Sequence, residues 1–283
     1  MYINTALNYT GGKFKLLPQI IPQLDYKKKT FIDIFTGGGS VFSNLLDKYD
    51  NIIINDIITE LVGIHEGLYK NDLSLIEDVK KLCVEKDEQD AYNKLRESYN
   101  NDKTPAKLWA LMLCSTNNML RFNKSFKYNQ TFGKRTFNKN TQLKIDILLE
   151  HYKKYPNKVS FTSKSFSDIE IDNSDYMVYI DPPYGFIKND DGSMGNTQIS
   201  EAGYNNFYTK QNDIDLYNYC LKVNEIKSSF MISGVLEHGG KTCWVLDKLI
   251  QDGFRVIELD FNYEKVNKTG VDKKTKEILI VNY

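Results

Sequence analysis

A chain of 283 residues can bury a large core in one domain, or in one domain carrying a sizeable insertion. Hydrophobic residues at 41% and charged residues at 26% are ordinary for a soluble folded protein, and no apolar run is long enough to cross a bilayer. Met1 to Tyr9 lacks the pattern of a secretory leader, so a cytoplasmic protein is expected, with no membrane partner.

The zero formal charge excludes a uniformly basic surface but conceals an asymmetry along the chain. From Lys103 to Ile145 there is no Asp or Glu, while Lys103, Lys107, Arg121, Lys124, Lys127, Lys134, Arg135, Lys139 and Lys144 all fall there. A polyanion would find one basic surface. Cys83, Cys114, Cys220 and Cys243 have no CxxC spacing, so reduced thiols and no metal are expected.

At the start of the chain, Asn8-Tyr-Thr-Gly-Gly-Lys13 precedes an amphipathic segment from Leu16 to Ile21. It places a Tyr ring, backbone N–H groups and a cation at a helix start, which suits a carboxylate. The run Phe31 to Phe35 reads as a strand, and Thr36-Gly-Gly-Gly-Ser40 follows it, where glycines let the backbone approach a small ligand. The dinucleotide fingerprint needs Gly at position 42, and this chain has Phe42, which makes NAD the weaker choice. Asp56 ends the next strand, Ile52 to Asp56, where an acid can accept hydrogen bonds from ribose hydroxyls or cap a helix.

Beyond Asp56 lie about a hundred residues with helical patterning, including Leu73 to Cys83, Asp87 to Tyr99 and Pro105 to Leu113. They predict a mainly helical insertion over residues 58–150, between two halves of a main domain at 1–57 and 151–283. The basic stretch falls inside it. From Arg121 to Asn140 cations alternate with Phe122, Phe126, Tyr128, Phe132 and Phe137, a composition that suits phosphate contact plus base wedging.

Further strands are predicted at Val159–Thr162, Met177–Asp181, Phe230–Gly234, Arg255–Asp260 and Glu277–Tyr283. Their near-continuous hydrophobicity predicts an α/β doubly wound fold, a largely parallel sheet with helices on both faces. Directly after the fourth run of the chain comes Asp181-Pro182-Pro183-Tyr184, a tetrapeptide that chance would supply on the order of once in a thousand chains of this length. The polar connection Gly185 to Asn212, with few apolar anchors before Tyr204, Phe207 and Tyr208, reads as a mobile loop.

Together these segments resemble the Dam-like (D12 class, DPPY) DNA adenine-N6 methyltransferases, especially bacteriophage-type Dam enzymes, over nearly the whole chain and in the family's order. The resemblance implies a Rossmann-like methyltransferase domain using S-adenosylmethionine, with S-adenosylhomocysteine as product, and an inserted target-recognition domain bearing a β-hairpin. Tyr9 and Lys13 match the N-terminal cofactor motif, Asp33, Phe35 and Gly37 the glycine-loop strand, and Asp56 the ribose-binding acid. Phe161-Thr-Ser-Lys-Ser-Phe166 resembles the segment whose aromatic packs on the cofactor adenine, and Asp181 also lies near the cofactor in this family.

The resemblance also implies that Asn118-Met-Leu-Arg-Phe-Asn123 and Thr131-Phe-Gly-Lys-Arg135 flank a DNA-contacting hairpin, with Arg121 reading bases and Arg135 on phosphate. Asn118, Asn123, Phe132 and Lys134 join that surface. Ser233 to His238 and the terminal segment look structural. Asp181, Pro182, Pro183 and Tyr184 become the catalytic set: the adenine amine is a poor nucleophile because its lone pair is delocalised, and acceptors on its hydrogens draw it toward tetrahedral geometry. Tyr184 would stack on a flipped base.

Double-stranded DNA is the implied partner, and a cognate restriction endonuclease an implied genetic one. GATC is the family's typical site, but Thr131 stands where a Pro is usual and the tip Lys124 to Lys127 lacks the usual Gly, so the target sequence stays open. Two alternatives remain at this point: a cytosine-N4 methyltransferase, whose relatives more often carry Ser in place of Asp181, and a catalytically inactive DNA-binding relative.

Overall fold

The computed structural model describes residues 2–9, 11–199, 208–260 and 275–283. In chain order its elements are α1 (Leu17–Ile20), β1 (Thr30–Asp33), β2 (Asn51–Asn55), α2 (Thr59–Tyr69), α3 (Leu73–Leu82), α4 (Gln89–Asn101), α5 (Pro105–Cys114), α6 (Lys139–Tyr152), β3 (Val159–Thr162) and β4 (Tyr176–Ile180). There follow β5 (Phe186–Lys188), β6 (Met194–Gln198), α7 (Lys210–Glu225), β7 (Ser229–His238), β8 (Lys241–Thr242), α8 (Trp244–Gln251), β9 (Arg255–Leu259) and β10 (Thr275–Val281). All the strands and helices predicted from apolar patterning are present, with ends shifted by a few residues.

The chain divides into two compact units. The first holds the described residues of 1–15 and 36–165, and the second those of 16–35, 166–199 and 208–283.

In the second unit the strand order is β1-β4-β7-β10-β9, with β8 on β7. Strands β1, β4 and β7 run parallel, and β10 is antiparallel to both of its neighbours. Phe31, Met177, Val178, Ile180, Phe230, Met231 and Ile232 are wholly buried, which is why these runs read as continuous hydrophobicity instead of alternation. Each such side chain removed from water contributes roughly 1.5 to 3 kcal/mol before entropy is counted. Parallel pairing of β4 with both β1 and β7 makes β4 an inner strand, so whatever follows Ile180 emerges from the middle of this sheet.

In the first unit β2 and β3 pair in parallel. Helix α5 starts on Thr104, whose Oγ1 accepts from the Lys107 amide, with Pro105 in its first turn where the missing N–H costs nothing. From Leu108 to Cys114 every residue is buried, because α2, α3 and α4 all pack against it. Asp72 caps α3 by accepting from Ser74 and Leu75, and Asn138 caps α6 by accepting from Asn140 and Thr141.

Helices α2 and α6 also pack with β3 and with the segment after the glycine loop: Tyr152 Oη bonds Ser43 Oγ at 2.7 Å, and the Tyr69 ring lies 5.7 Å from Phe161. Contacts of this kind explain why loop, β2, β3 and helices share one unit. After α5 the chain makes the expected hairpin, with antiparallel bridges between Phe122 and Tyr128 and between Ser115 and Phe132. All four cysteines are free.

The long connection after the Asp-Pro-Pro-Tyr segment departs from its expected character. Its first part is an antiparallel ribbon of β5 and β6, fixed by a bridge from Ile187 to Cys243 and by the ion pair of Lys188 with Asp247 at 2.9 Å. Tyr208 is buried, and Tyr204 and Phe207 lie outside the described residues. Polar composition suggested mobility there, but a two-stranded ribbon satisfies its backbone without apolar side chains. Among the described residues no helix is long and apolar enough to cross a membrane.

Candidate functional site

The glycine loop is shaped by what presses on it. A Cβ at Gly37 would lie 2.9 Å from the Tyr9 ring and one at Gly38 2.5 Å from Tyr9 Cβ, so only glycine admits the Tyr9 side chain. Gly39, at φ +75°, faces His65 and Phe42 in the same way, each 2.6 Å from a Cβ built there. Tyr9, Gly12 and Gly38 line a cavity of about 290 Å³ together with Asn8, Ser40 and Asn117. Lys13 is half-buried and donates to the Gly11 carbonyl at 3.2 Å.

Asp56 is buried, and both carboxylate oxygens accept backbone hydrogen bonds: Oδ2 from Gly37 and Oδ1 from Ile58, each at 3.0 Å. Burial raises its pKa, and those N–H donors oppose the rise. Asp56 therefore ties the glycine loop to Ile58, the residue before α2, without capping that helix, whose N-cap Ile58 has no side-chain cap.

His65 was not singled out from sequence. Its Nε2 meets the Gly37 carbonyl at 2.8 Å, and since a carbonyl can only accept, Nε2 carries the proton. Burial lowers the His65 pKa to about 4, so the ring is neutral and serves as a fixed strut under the loop. The available signal was its position on the buried face of α2 with Leu61, Ile64 and Leu68.

In the second unit, Asp33 ends β1 as a buried acid, and Phe35 stands half-buried beyond it. The Phe35 ring lies 5.2 Å from Phe166, which also meets Tyr219 edge-on at 6.1 Å. Phe166 is buried among these rings, so its observed contacts are those of a core aromatic.

Asp181 to Tyr184 follow β4 directly and are all half-buried. Asp181 Oδ1 accepts from Ser233 Oγ at 3.0 Å, and Ser233 Oγ is itself 2.9 Å from Tyr179 Oη. The turn is held from its far end as well: the Phe186 amide donates to Asp213 Oδ2 at 2.6 Å. Gly185 is required between them, because a Cβ there would sit 2.9 Å from Cys243 Sγ and 3.1 Å from both Asp213 oxygens. Burial raises the Asp213 carboxyl to about 6, against the Phe186 amide and the Tyr208 hydroxyl, which favour its charged form. Ser233 and Asp213 were not found as site residues in the sequence, because each meets the turn only through strand pairing or helix packing.

On the hairpin of the first unit Arg121, Lys124, Lys127, Lys134 and Arg135 are exposed. Asn123 Oδ1 accepts from the amides of Ser125 and Lys127, so it builds the tip. Asn118 is buried at φ +56° and accepts from Arg135 Nη1 at 2.7 Å, which joins the two flanks named from the sequence. The Phe132 ring rests 5.1 Å from Tyr92.

The proposed wedging aromatics need correction. Phe122 and Tyr128 are buried against each other, ring centroids 5.8 Å apart, and Tyr128 also meets Tyr99. Paired strands send alternate residues to opposite faces, so the aromatics point inward where the neighbouring cations point outward. Phe126, at the tip with φ +56°, is 52% exposed and is the large aromatic this hairpin offers to solvent.

An inner parallel strand delivering an Asp-Pro-Pro-Tyr turn in one unit, and a cavity beside a glycine loop in the other, are features consistent with the α/β methyltransferase fold. The family model of D12 class N6 adenine-specific DNA methyltransferases matches residues 9–264, and the chain belongs to that family.

The chain is 30% identical to the modification methylase StsI of Streptococcus sanguinis, across 100% of this chain and 43% of that protein. It is 26% identical to the type II methyltransferase M.MjaIII of Methanocaldococcus jannaschii over 100% of both chains. To the DNA N-6-adenine-methyltransferase of Escherichia phage P1 it is 26% identical, over 66% of this chain and 25% of the phage protein. The chain thus spans less than half the length of StsI and a quarter of the phage enzyme.

Proposed function

We propose that this chain transfers the methyl group of S-adenosylmethionine to the exocyclic amine of an adenine in double-stranded DNA. The observation that carries the reading is the Asp181–Tyr184 turn, half-exposed at the carboxyl end of inner strand β4 and anchored at both ends by buried side chains. In open α/β sheets ligands bind beyond the carboxyl ends of strands.

The donor supplies a methyl group on a sulfonium, an electrophile that needs no metal. The first unit's residues fit part of such a ligand: Gly12 and Gly38 line the cavity, and Asn8, Tyr9 and Ser40 add polar lining. Lys13 suits its carboxylate and Asp56 its ribose, while Asp33, Phe35, Gly37, Phe166 and Asp181 complete the proposed set.

The chemistry of the chain lies in acceptors. The Asp181 carboxylate and the Pro182 carbonyl accept the two amine hydrogens, which localises the nitrogen lone pair as the bond to carbon forms. Pro182 and Pro183 lack N–H groups, so the turn presents no competing backbone donor at those positions. Tyr184 stacks on the extruded base, worth roughly 1 to 3 kcal/mol. The hairpin holds the duplex, with Arg121 reading bases, and Arg135 and Lys134 on phosphate.

The test is incubation of the whole chain with duplex DNA and methyl-labelled S-adenosylmethionine, followed by nucleoside analysis. N6-methyladenine is expected from the wild type and none from Asp181→Ala. N4-methylcytosine would replace the reading by the cytosine alternative, and DNA binding without any methylated base would replace it by the inactive one.

A further inference from the structure

Strand β4 continues into the catalytic turn beside β7, with Ile180 opposite Ile232, so Asp181 and Ser233 follow as neighbours across parallel strands. Tyr179 and Asp181 lie two residues apart and share a face. On that face three side chains touch in series: Tyr179 Oη to Ser233 Oγ at 2.9 Å, and Ser233 Oγ to Asp181 Oδ1 at 3.0 Å. Tyr179 is 1% exposed and Ser233 fully buried, so neither hydroxyl has bulk water as an alternative partner.

The direction of the series is fixed by counting protons. Ser233 has one O–H, and it donates to Asp181. Its oxygen must then accept from Tyr179, whose phenol is the remaining donor of the pair. Burial first, and then the Asp181 charge, push the Tyr179 phenol well above its ordinary pKa, which keeps it protonated.

We infer that Tyr179 and Ser233 are positioning residues for methyl transfer: a buried two-hydroxyl relay that holds one oxygen of Asp181 and so aims the carboxylate at the amine. A carboxylate can rotate about its terminal bond over a broad range, and an acceptor must meet the amine hydrogen near linearity to localise the lone pair. The Ser233 hydroxyl, fixed in the core, restricts that freedom at Oδ1. The polarised Tyr-to-Ser bond strengthens it, since hydrogen bonds in chains reinforce one another.

The inference rests on the reading of Asp181 given above, and the experiment separates the two. Ser233→Ala and Tyr179→Phe each delete one hydroxyl with little change of shape. With DNA and donor saturating, Ser233→Ala is expected to slow the single-turnover rate roughly tenfold to a hundredfold, as for loss of a hydrogen bond to a charged group. Tyr179→Phe is expected to slow it about three- to tenfold.

In the double variant Tyr179→Phe adds nothing to Ser233→Ala, because the link through which it acts is gone. The melting temperature of Ser233→Ala is expected to fall, because the buried Tyr179 hydroxyl loses its acceptor, and to recover in the double variant while the single-turnover rate does not, a split that a merely structural role would not give. A wild-type rate in Ser233→Ala, or undiminished multiplication of the two effects, overturns the relay.

A crystal structure of Ser233→Ala supplies a readout independent of turnover. The Asp181 carboxylate is expected to turn or to occupy several orientations, and an unchanged carboxylate overturns the inference. If the wild type makes no N6-methyladenine, the enzymatic reading fails while this structural comparison still decides the relay.

Discussion

The turn at Asp181–Phe186 and the hairpin at Ser115–Arg135, to which the proposal assigns the reaction and the DNA contact, are built in opposite ways. Behind the turn the supporting groups are buried and ionisable or hydroxylic: Ser233, Tyr179 and Asp213. The hairpin buries aromatics and backbone instead, with Tyr92 Oη and Arg96 donating to the Gln130 carbonyl and Asn100 bonding both backbone groups of Tyr128. Its charges are left in water. Rigid acceptor placement is what a proton-directed reaction requires, whereas phosphate attraction acts over several ångströms and tolerates mobile side chains. Substitutions behind the turn should therefore act abruptly, and those on the hairpin by degrees and with salt.

Asp213 should show the largest effect. Its folded pKa of about 6 stands above the usual carboxylate value, so the folded state holds a proton that the unfolded chain has lost between about pH 4 and 6. This contribution to stability is complete below the unfolded pKa and disappears as pH rises through 6. Neither Tyr208 nor Cys243, the titratable groups facing it, changes charge in that window, since burial raises the first well above its ordinary range and the second to about 12. Asp213→Asn keeps an acceptor for the Phe186 amide and removes the titration. Denaturant unfolding of both forms from pH 4 to 7 should show the variant gaining on wild type, by on the order of 2 kcal/mol across the window. A parallel pair of curves would mean that the carboxyl is not the buried anchor described.

How far these two regions could be read from the sequence differs for the same reason. The strands were legible because burial on both faces leaves an unbroken apolar run, as in Met177 to Ile180, and the turn because Asp181-Pro-Pro-Tyr184 is rare. The supports behind the turn were not legible. Ser233 and Asp213 lie 52 and 27 residues from their partners along the chain, and a lone Ser or Asp carries no periodic signal. In the hairpin the charges were legible and the aromatics misassigned, since composition counts Phe122 and Phe126 alike. Alternation from the Phe122–Tyr128 bridge would have placed Phe122 inside and left Phe126 at the tip.

Next in size comes Arg135, exposed and held by Asn118 at 2.7 Å. Arg135→Ala should weaken binding to all duplex sequences alike, severalfold at moderate salt, and lower the salt slope of log affinity by about one. Titration of two unrelated duplexes at several salt concentrations checks it. A loss confined to one sequence would move Arg135 from phosphate to base reading. Asn118→Ala releases the guanidinium without removing charge, and so should leave the salt slope intact while reducing affinity less.

The smallest effect on stability is expected at Phe126, where the comparison is sharpest. Half of its surface is in water, and its backbone, at φ +56°, occupies a region that Asn adopts more readily than Phe. Phe126→Asn should therefore change unfolding free energy by no more than about 0.5 kcal/mol, as surface substitutions do. Its carbonyl, which accepts from Lys103 Nζ, is retained. At 52% exposure on the tip, the Phe126 ring is placed to reach a base stack, and the variant should then bind duplex DNA but distort it less. Fluorescence of 2-aminopurine at the target adenine reads that distortion directly. Equal fluorescence in both forms would return Phe126 to an ordinary tip residue, and leave the hairpin's contribution to its cations alone.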